Sequence, residues 1–319
     1  MPDVVFHSEF GRDVRRALPD DIRSALEDAP YTFALFGPDA WFMWRPWMRQ
    51  EGRGRRMHTT RPGAFLMALA DRAASLESPD ALFSYLAGFL CHYAMDAACH
   101  PYIIWKTEFE TKLPRGHMSF EHSLDYRKLR RESRWNGPRP ITSDFLPALR
   151  LPESIRTDID DIYLEIYGWE HCWKALNAAW KRFRLAYRII EKDNGWFTRF
   201  ARLTGHPRLK SLTYTLSHFN DADVENESHA EWRHSHDDSI VSTASFAELR
   251  DEAFANALEL IGAAWRYVHH AGVTREELAE LIGDRSYLSG LPADDPRNLK
   301  IPSLLPPAKP ANLPGGGRD

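Results

Sequence analysis

His92, Asp96 and His100 recur at four-residue intervals inside the apolar run LFSYLAGFLCHYAMDAACH (residues 82–100). A helical period of 3.6 residues places positions i, i+4 and i+8 on one face, about one turn apart. The run therefore carries two imidazoles and a carboxylate as a stripe on a helix otherwise made of Leu, Phe, Ala and Tyr. A second pair, His117 and Glu121, follows with the same spacing beyond Pro101, which is expected to stop the first helix. A single His on an apolar face is usually a hydrogen-bonded core residue. Three aligned ionisable groups are harder to bury, because an uncompensated carboxylate in an apolar setting costs several kcal/mol. No Lys or Arg lies between Arg72 and Lys106 to compensate Asp96. A bound cation would, and imidazole with carboxylate is a typical zinc donor set.

The flanking segments must position these groups. Ser78 as cap and Pro79 at the first helical position give the central helix a start signal. Before it, Pro62–Ser75 reads as a helix and EGRGRRMHTT (51–60) as a basic loop ending near His58. Gly37-Pro38 is a turn signal, and Asp39 follows it directly, as a helix cap or as a carboxylate aimed into a site. His7 lies near the start, ahead of a helix expected from about Pro19. Beyond Glu121 the helical pattern continues to about residue 133. Residues 153–192 read as one long helix or as two broken near Gly168. Residues 246–270 and 275–282 read as two more. Residues 205–245 hold His206, His218, His229, His234 and His236 without helical spacing and read as a long loop. No period-two run announces a strand. The expected architecture is an all-α, multi-helix single domain over residues 1–290, with a Pro/Gly-rich extended tail over 291–319.

Composition narrows the function classes. A net charge of −4 gives no electrostatic ground for nucleic-acid binding. Three Cys at irregular spacing (Cys91, Cys99, Cys172) argue against a disulfide framework. The N-terminal residues do not read as a signal peptide, and the longest apolar run is too short to cross a bilayer. A cytoplasmic, reducing setting is expected, with no transmembrane segment and at most transient contact with a membrane surface. Tyr31–Trp47 is rich in aromatics, which read as core first and as a wall for a lipid or nucleoside second.

The ordered set of residues resembles the bacterial zinc-dependent phospholipase C family, with the single-strand-cutting zinc nucleases as more distant relatives. HxxxD at His92–Asp96, His100-Pro101 and HxxxE at His117–Glu121 carry the resemblance, supported by His7, Asp39 and His58 in the family's order. The resemblance implies two or three zinc ions. One would be held by Asp39, His58, His92 and Asp96, a second by His100, His117 and Glu121, and a third by Asp96 and His7. It also implies metal-activated water attacking a phosphodiester, phospholipid or small molecule, with Asp39, or an unmatched carboxylate near the metals, as the candidate general base. A zinc nuclease or other phosphoesterase, and a non-enzymatic metal-stabilised helical protein, are the alternatives. Structural zinc sites are mostly Cys-rich, and no Cys stands in this set.

Overall fold

A computed structural model describes residues 4–44, 52–110, 116–132, 145–192, 196–204 and 223–300. The fold is all-α, as expected, and a single helix lies at its centre. That helix, α6 (Asp80–Ile104), is the sixth of α1 (Val4–Ala17), α2 (Asp20–Ala25), α3 (Asp28–Ala34), α4 (Arg53–Thr59), α5 (Pro62–Ala74) and α6. After it come α7 (Gly116–Arg131), α8 (Glu153–Tyr167), α9 (Cys172–Lys192), α10 (Trp196–Leu203), α11 (Phe246–Val268) and α12 (Arg275–Ile282). α6 is apolar all round, so it can only sit inside the bundle. Of its residues only Asp80 and Ala98 are not buried. α3 and α11 are the helices most extensively packed against it, with α5 and α1 alongside.

Close approach is built into that packing. A Cβ on Gly88 would lie 2.4 Å from the Tyr31 carbonyl oxygen and 2.7 Å from Ala34 Cβ, so α3 crosses α6 where only glycine fits. Tyr31, Phe33, Phe36 and Trp41 are buried. The Tyr31 hydroxyl donates to Gly11 O (2.6 Å) and the Trp41 indole N–H to Tyr163 Oη (3.1 Å), so these aromatics are core. Cys91, Cys99 and Cys172 are free and buried.

Several local expectations are corrected. α6 does not stop at Pro101; it runs to Ile104 and continues as a π-helical turn, Trp105–Glu110. Proline removes one N–H and frees the carbonyl of Ala97, while its own carbonyl still accepts from Trp105 N. Gly290 lies against that freed carbonyl, so closely that a Cβ there would be 2.6 Å from it. The helix begins at Asp80, with Pro79 rather than Ser78 at the cap position. The basic segment around His58 is not a loop but the short helix α4. Residues 4–17, given no element in the sequence, form α1. Residues 153–192 are two helices, divided at Gly168, whose left-handed conformation (φ +70°) closes α8.

The loop expected over 205–245 contains an antiparallel hairpin, β1 (Trp232–His234) with β2 (Asp237–Ser242), Trp232 facing Ser242. The connection is too short and too irregular to leave a period-two signal. Of the His residues there, His206 and His218 lie outside the described residues, and His234 and His236 are buried. Residues 291–300 are packed: Ala293 N donates to Asp284 O (2.6 Å), and Arg297 pairs with Asp237 and Asp295. The rest of the expected tail, 301–319, lies outside the described residues.

Candidate metal centre

The eight candidate residues arrive on five separate supports. α1 brings His7, the 3-10 turn Asp39–Met43 brings Asp39, and α4 brings His58. α6 brings His92, Asp96 and His100, and α7 brings His117 and Glu121. All eight converge. Asp96, His92 and His100 are wholly buried, and His7, close to the start of the chain, is only 2 % exposed.

Three groups of ligand atoms form, each with all its atoms within 4.8 Å of one another: His7, His92 and Asp96; Asp39, His58 and His92; and His100, His117 and Glu121. Asp96 stands between them. Its Oδ1 is 3.3 Å from His7 Nε2, while its Oδ2 is 3.1 Å from His92 Nε2 and 3.7 Å from His58 Nε2. Asp39 Oδ1 is 3.3 Å from His58 Nε2 and 3.8 Å from His92 Nε2. His117 Nε2 lies 2.7 Å, and His100 Nε2 3.7 Å, from Glu121 Oε1. His92 therefore faces two groups, where the sequence comparison placed it in one.

The ring nitrogens turned away from the centre are held by backbone. His58 Nδ1 donates to Gly54 O (2.7 Å), His92 Nδ1 to Leu35 O (3.0 Å) and His100 Nδ1 to Tyr287 O (2.7 Å). A carbonyl only accepts, so each Nδ1 carries the proton and each Nε2 presents a lone pair inward. The Nε2 atoms of His7, His58 and His92, Asp39 Oδ1 and both oxygens of Asp96 are buried without a hydrogen-bond partner among the described residues. Orphaned donors and acceptors at this density are costly unless something binds them. Two ligand atoms on one tetrahedral zinc stand roughly 3.3 Å apart, given zinc–ligand lengths of about 2.0–2.2 Å. The separations around Asp39 and Asp96 cluster at that value, so the residues fit a divalent cation.

Electrostatics agree. Burial holds the His100 and His117 imidazoles well below their ordinary pKa, and burial with neighbouring His92 lowers His7, so all three are neutral. Burial alone would raise the Asp96 carboxyl, but His92 and His100 bring it well below the usual carboxylate range. At His92 burial opposes protonation, and the Asp96 and Asp39 carboxylates outweigh it, raising its pKa. An ionised Asp96 among mostly neutral imidazoles suits cation binding.

Sequence reasoning missed the parts that orient the set. Asp125 on α7 accepts from Val5 N (2.8 Å) and Phe6 N (3.1 Å), fixing the start of the helix that carries His7. Tyr287 joins two ligand positions through its backbone: its N–H donates to His58 O (2.9 Å) and its carbonyl accepts from His100. Gly37, at φ +44°, packs so tightly on the His92 ring that a Cβ would lie 2.5 Å from it. The Gly37-Pro38 turn had signalled a bend, but the contacts of residues 125 and 287 span more than a hundred positions and leave no local pattern.

Comparison with curated proteins and with solved structures finds no match. The family model described as zinc dependent phospholipase C matches residues 7–188, a span that opens on His7 and contains all eight residues. With more than half of the chain covered, the chain belongs to the zinc-dependent phospholipase C family.

Proposed function

We propose that the chain is a zinc-dependent phosphodiester hydrolase that cleaves a phospholipid at its headgroup phosphate. The observation that supports this most is that His7, His58 and His92 Nε2, Asp39 Oδ1 and both Asp96 oxygens are buried without a hydrogen-bond partner among the described residues and gather into groups that could hold metal ions. Asp39, His58, His92 and Asp96 would hold one ion, and His100, His117 and Glu121 a second. His7 and Asp96 would hold a third, with His92 alongside. Zinc, when bound, neutralises phosphate charge and lowers the pKa of a coordinated water towards neutrality.

The chain's own residues do the rest. Asp96 presents Oδ1 towards His7 and Oδ2 towards His92, so its carboxylate serves both neighbouring groups. The backbone carbonyls of Leu35, Gly54 and Tyr287 hold the Nδ1 protons of His92, His58 and His100, which leaves Nε2 of each ring to ligate. Asp39 has Oδ1 committed to the group with His58 and His92; its second oxygen takes the proton from the attacking water. Three free thiols support a reducing, cytoplasmic setting. No helix among the described residues is long and apolar enough to cross a membrane.

Elemental analysis beside hydrolysis of a chromogenic phosphorylcholine ester tests the proposal. The expected result is two or three zinc per chain and turnover that His92→Ala abolishes. A protein purified away from chelators that contains no zinc would refute it.

A further inference from the structure

Exposed apolar side chains are not spread evenly over this molecule. Eight large ones are prominent among the described residues, and five of them fall between Leu185 and Leu203. α9 buries Leu176, Trp180, Phe183 and Tyr187 in the core, while Lys181, Leu185 and Ile189 form an outward stripe at i, i+4 and i+8. On α10, Trp196, Phe200 and Leu203 stand at i, i+4 and i+7, and they are 62 %, 49 % and 86 % exposed. Single exposed apolar residues need no explanation, but a run of aligned ones marks a contact surface.

The charge around them identifies the partner. Residues 172–204 contain eight Lys and Arg against two acidic residues, Glu191 and Asp193, in a chain whose net charge is −4. Lys181, Arg182, Arg188 and Arg199 are exposed. Arg184 faces Arg188 one turn on, and burial with that neighbour lowers its pKa. Arg184 Nε is buried with no hydrogen-bond partner among the described residues. Two guanidiniums one turn apart on the same helix fit phosphate oxygens. A second copy of this face would bring like charge against like charge, and a neutral apolar partner would leave the cations unanswered. Large apolar side chains flanked by Lys and Arg are the composition of a helix lying in the headgroup layer of an anionic bilayer.

We infer that the outward faces of α9 and α10, through Leu185, Ile189, Trp196, Phe200 and Leu203 with Arg184 and Arg188, dock the protein on an anionic phospholipid surface. The inference rests on the phospholipase reading for its biological sense, but it is tested separately. The test is energy transfer from the protein's tryptophans to dansyl-labelled vesicles, read before turnover. Vesicles of phosphatidylcholine alone are compared with vesicles containing about a third phosphatidylglycerol, with hydrolysis of a short-chain soluble ester measured in parallel.

The wild-type protein is expected to bind the anionic vesicles and to release them as salt rises. Phe200→Glu with Leu203→Glu, and independently Arg184→Ala with Arg188→Ala, should each weaken binding by about tenfold or more. Both should keep wild-type soluble-ester turnover, which also shows that they fold. Equal vesicle affinity in wild type and both variants would overturn the inference, as would no wild-type binding to anionic vesicles. So would a wild-type dimer that the glutamate variant converts to monomer. Vesicle binding lost in the variants, with no soluble-ester turnover by any form, would uphold the docking surface and refute the catalytic reading instead.

Discussion

Residue by residue, the centre was legible wherever ligands share a helix. His92, Asp96 and His100, and again His117 and Glu121, announce themselves because i and i+4 are neighbours on any helix. Asp39, His58 and His7 carried no such spacing; only the order of the whole set brought them in. Their surroundings make distinct predictions. Glu121→Ala removes a carboxylate from the group of His100 and His117 but touches nothing in the group of Asp39, His58 and His92. Elemental analysis should therefore show one zinc fewer, with the remainder retained. Loss of all metal would mean that the groups are filled together. Gly37→Ala pairs a strained left-handed φ with a Cβ pressed against the His92 ring. Zinc affinity measured by competition with a chromophoric chelator should fall by about tenfold or more, since misplaced ligands typically cost that much.

Among the elements, the long apolar ones were predictable and the short polar ones were not. α6 and α11 have unambiguous patterns, whereas α1 and α4 are held by contacts the sequence cannot display. α1 starts on the carboxylate of Asp125, a partner on α7. Asp125→Ala leaves two buried N–H groups without that acceptor and should cost about 1.5–3 kcal/mol in urea unfolding. A loss below about half a kcal/mol would show that α1 is held from elsewhere. The crossing of α3 over α6 at Gly88 should be equally sensitive. Gly88→Ala would force the Tyr31 carbonyl aside, and overpacking of this kind costs about 1–3 kcal/mol. The same unfolding measurement decides it.

At the scale of the whole molecule, the metal centre and the core are one structure. α1, α4, α6, α7 and the turn at Asp39 converge on charged groups that have few partners of their own. Ions bound there stabilise the native state alone, by about 4 kcal/mol each at a thousandfold excess over Kd. Dialysis against a strong chelator should lower the thermal midpoint by roughly 10 °C, followed by calorimetry. An unchanged midpoint would mean the helices hold the site without help.

All eight candidate ligands lie between residues 7 and 121, yet the His100 imidazole and the main chain of His58 are both held by the backbone of residue 287. During synthesis the ribosome delivers the complete ligand set long before it delivers Tyr287. A nascent chain halted near residue 200 would carry every metal-binding side chain without the strap that aligns His58 and His100. Zinc capture by these ligands is then expected late in synthesis, after residue 287 has emerged and not when the last ligand appears.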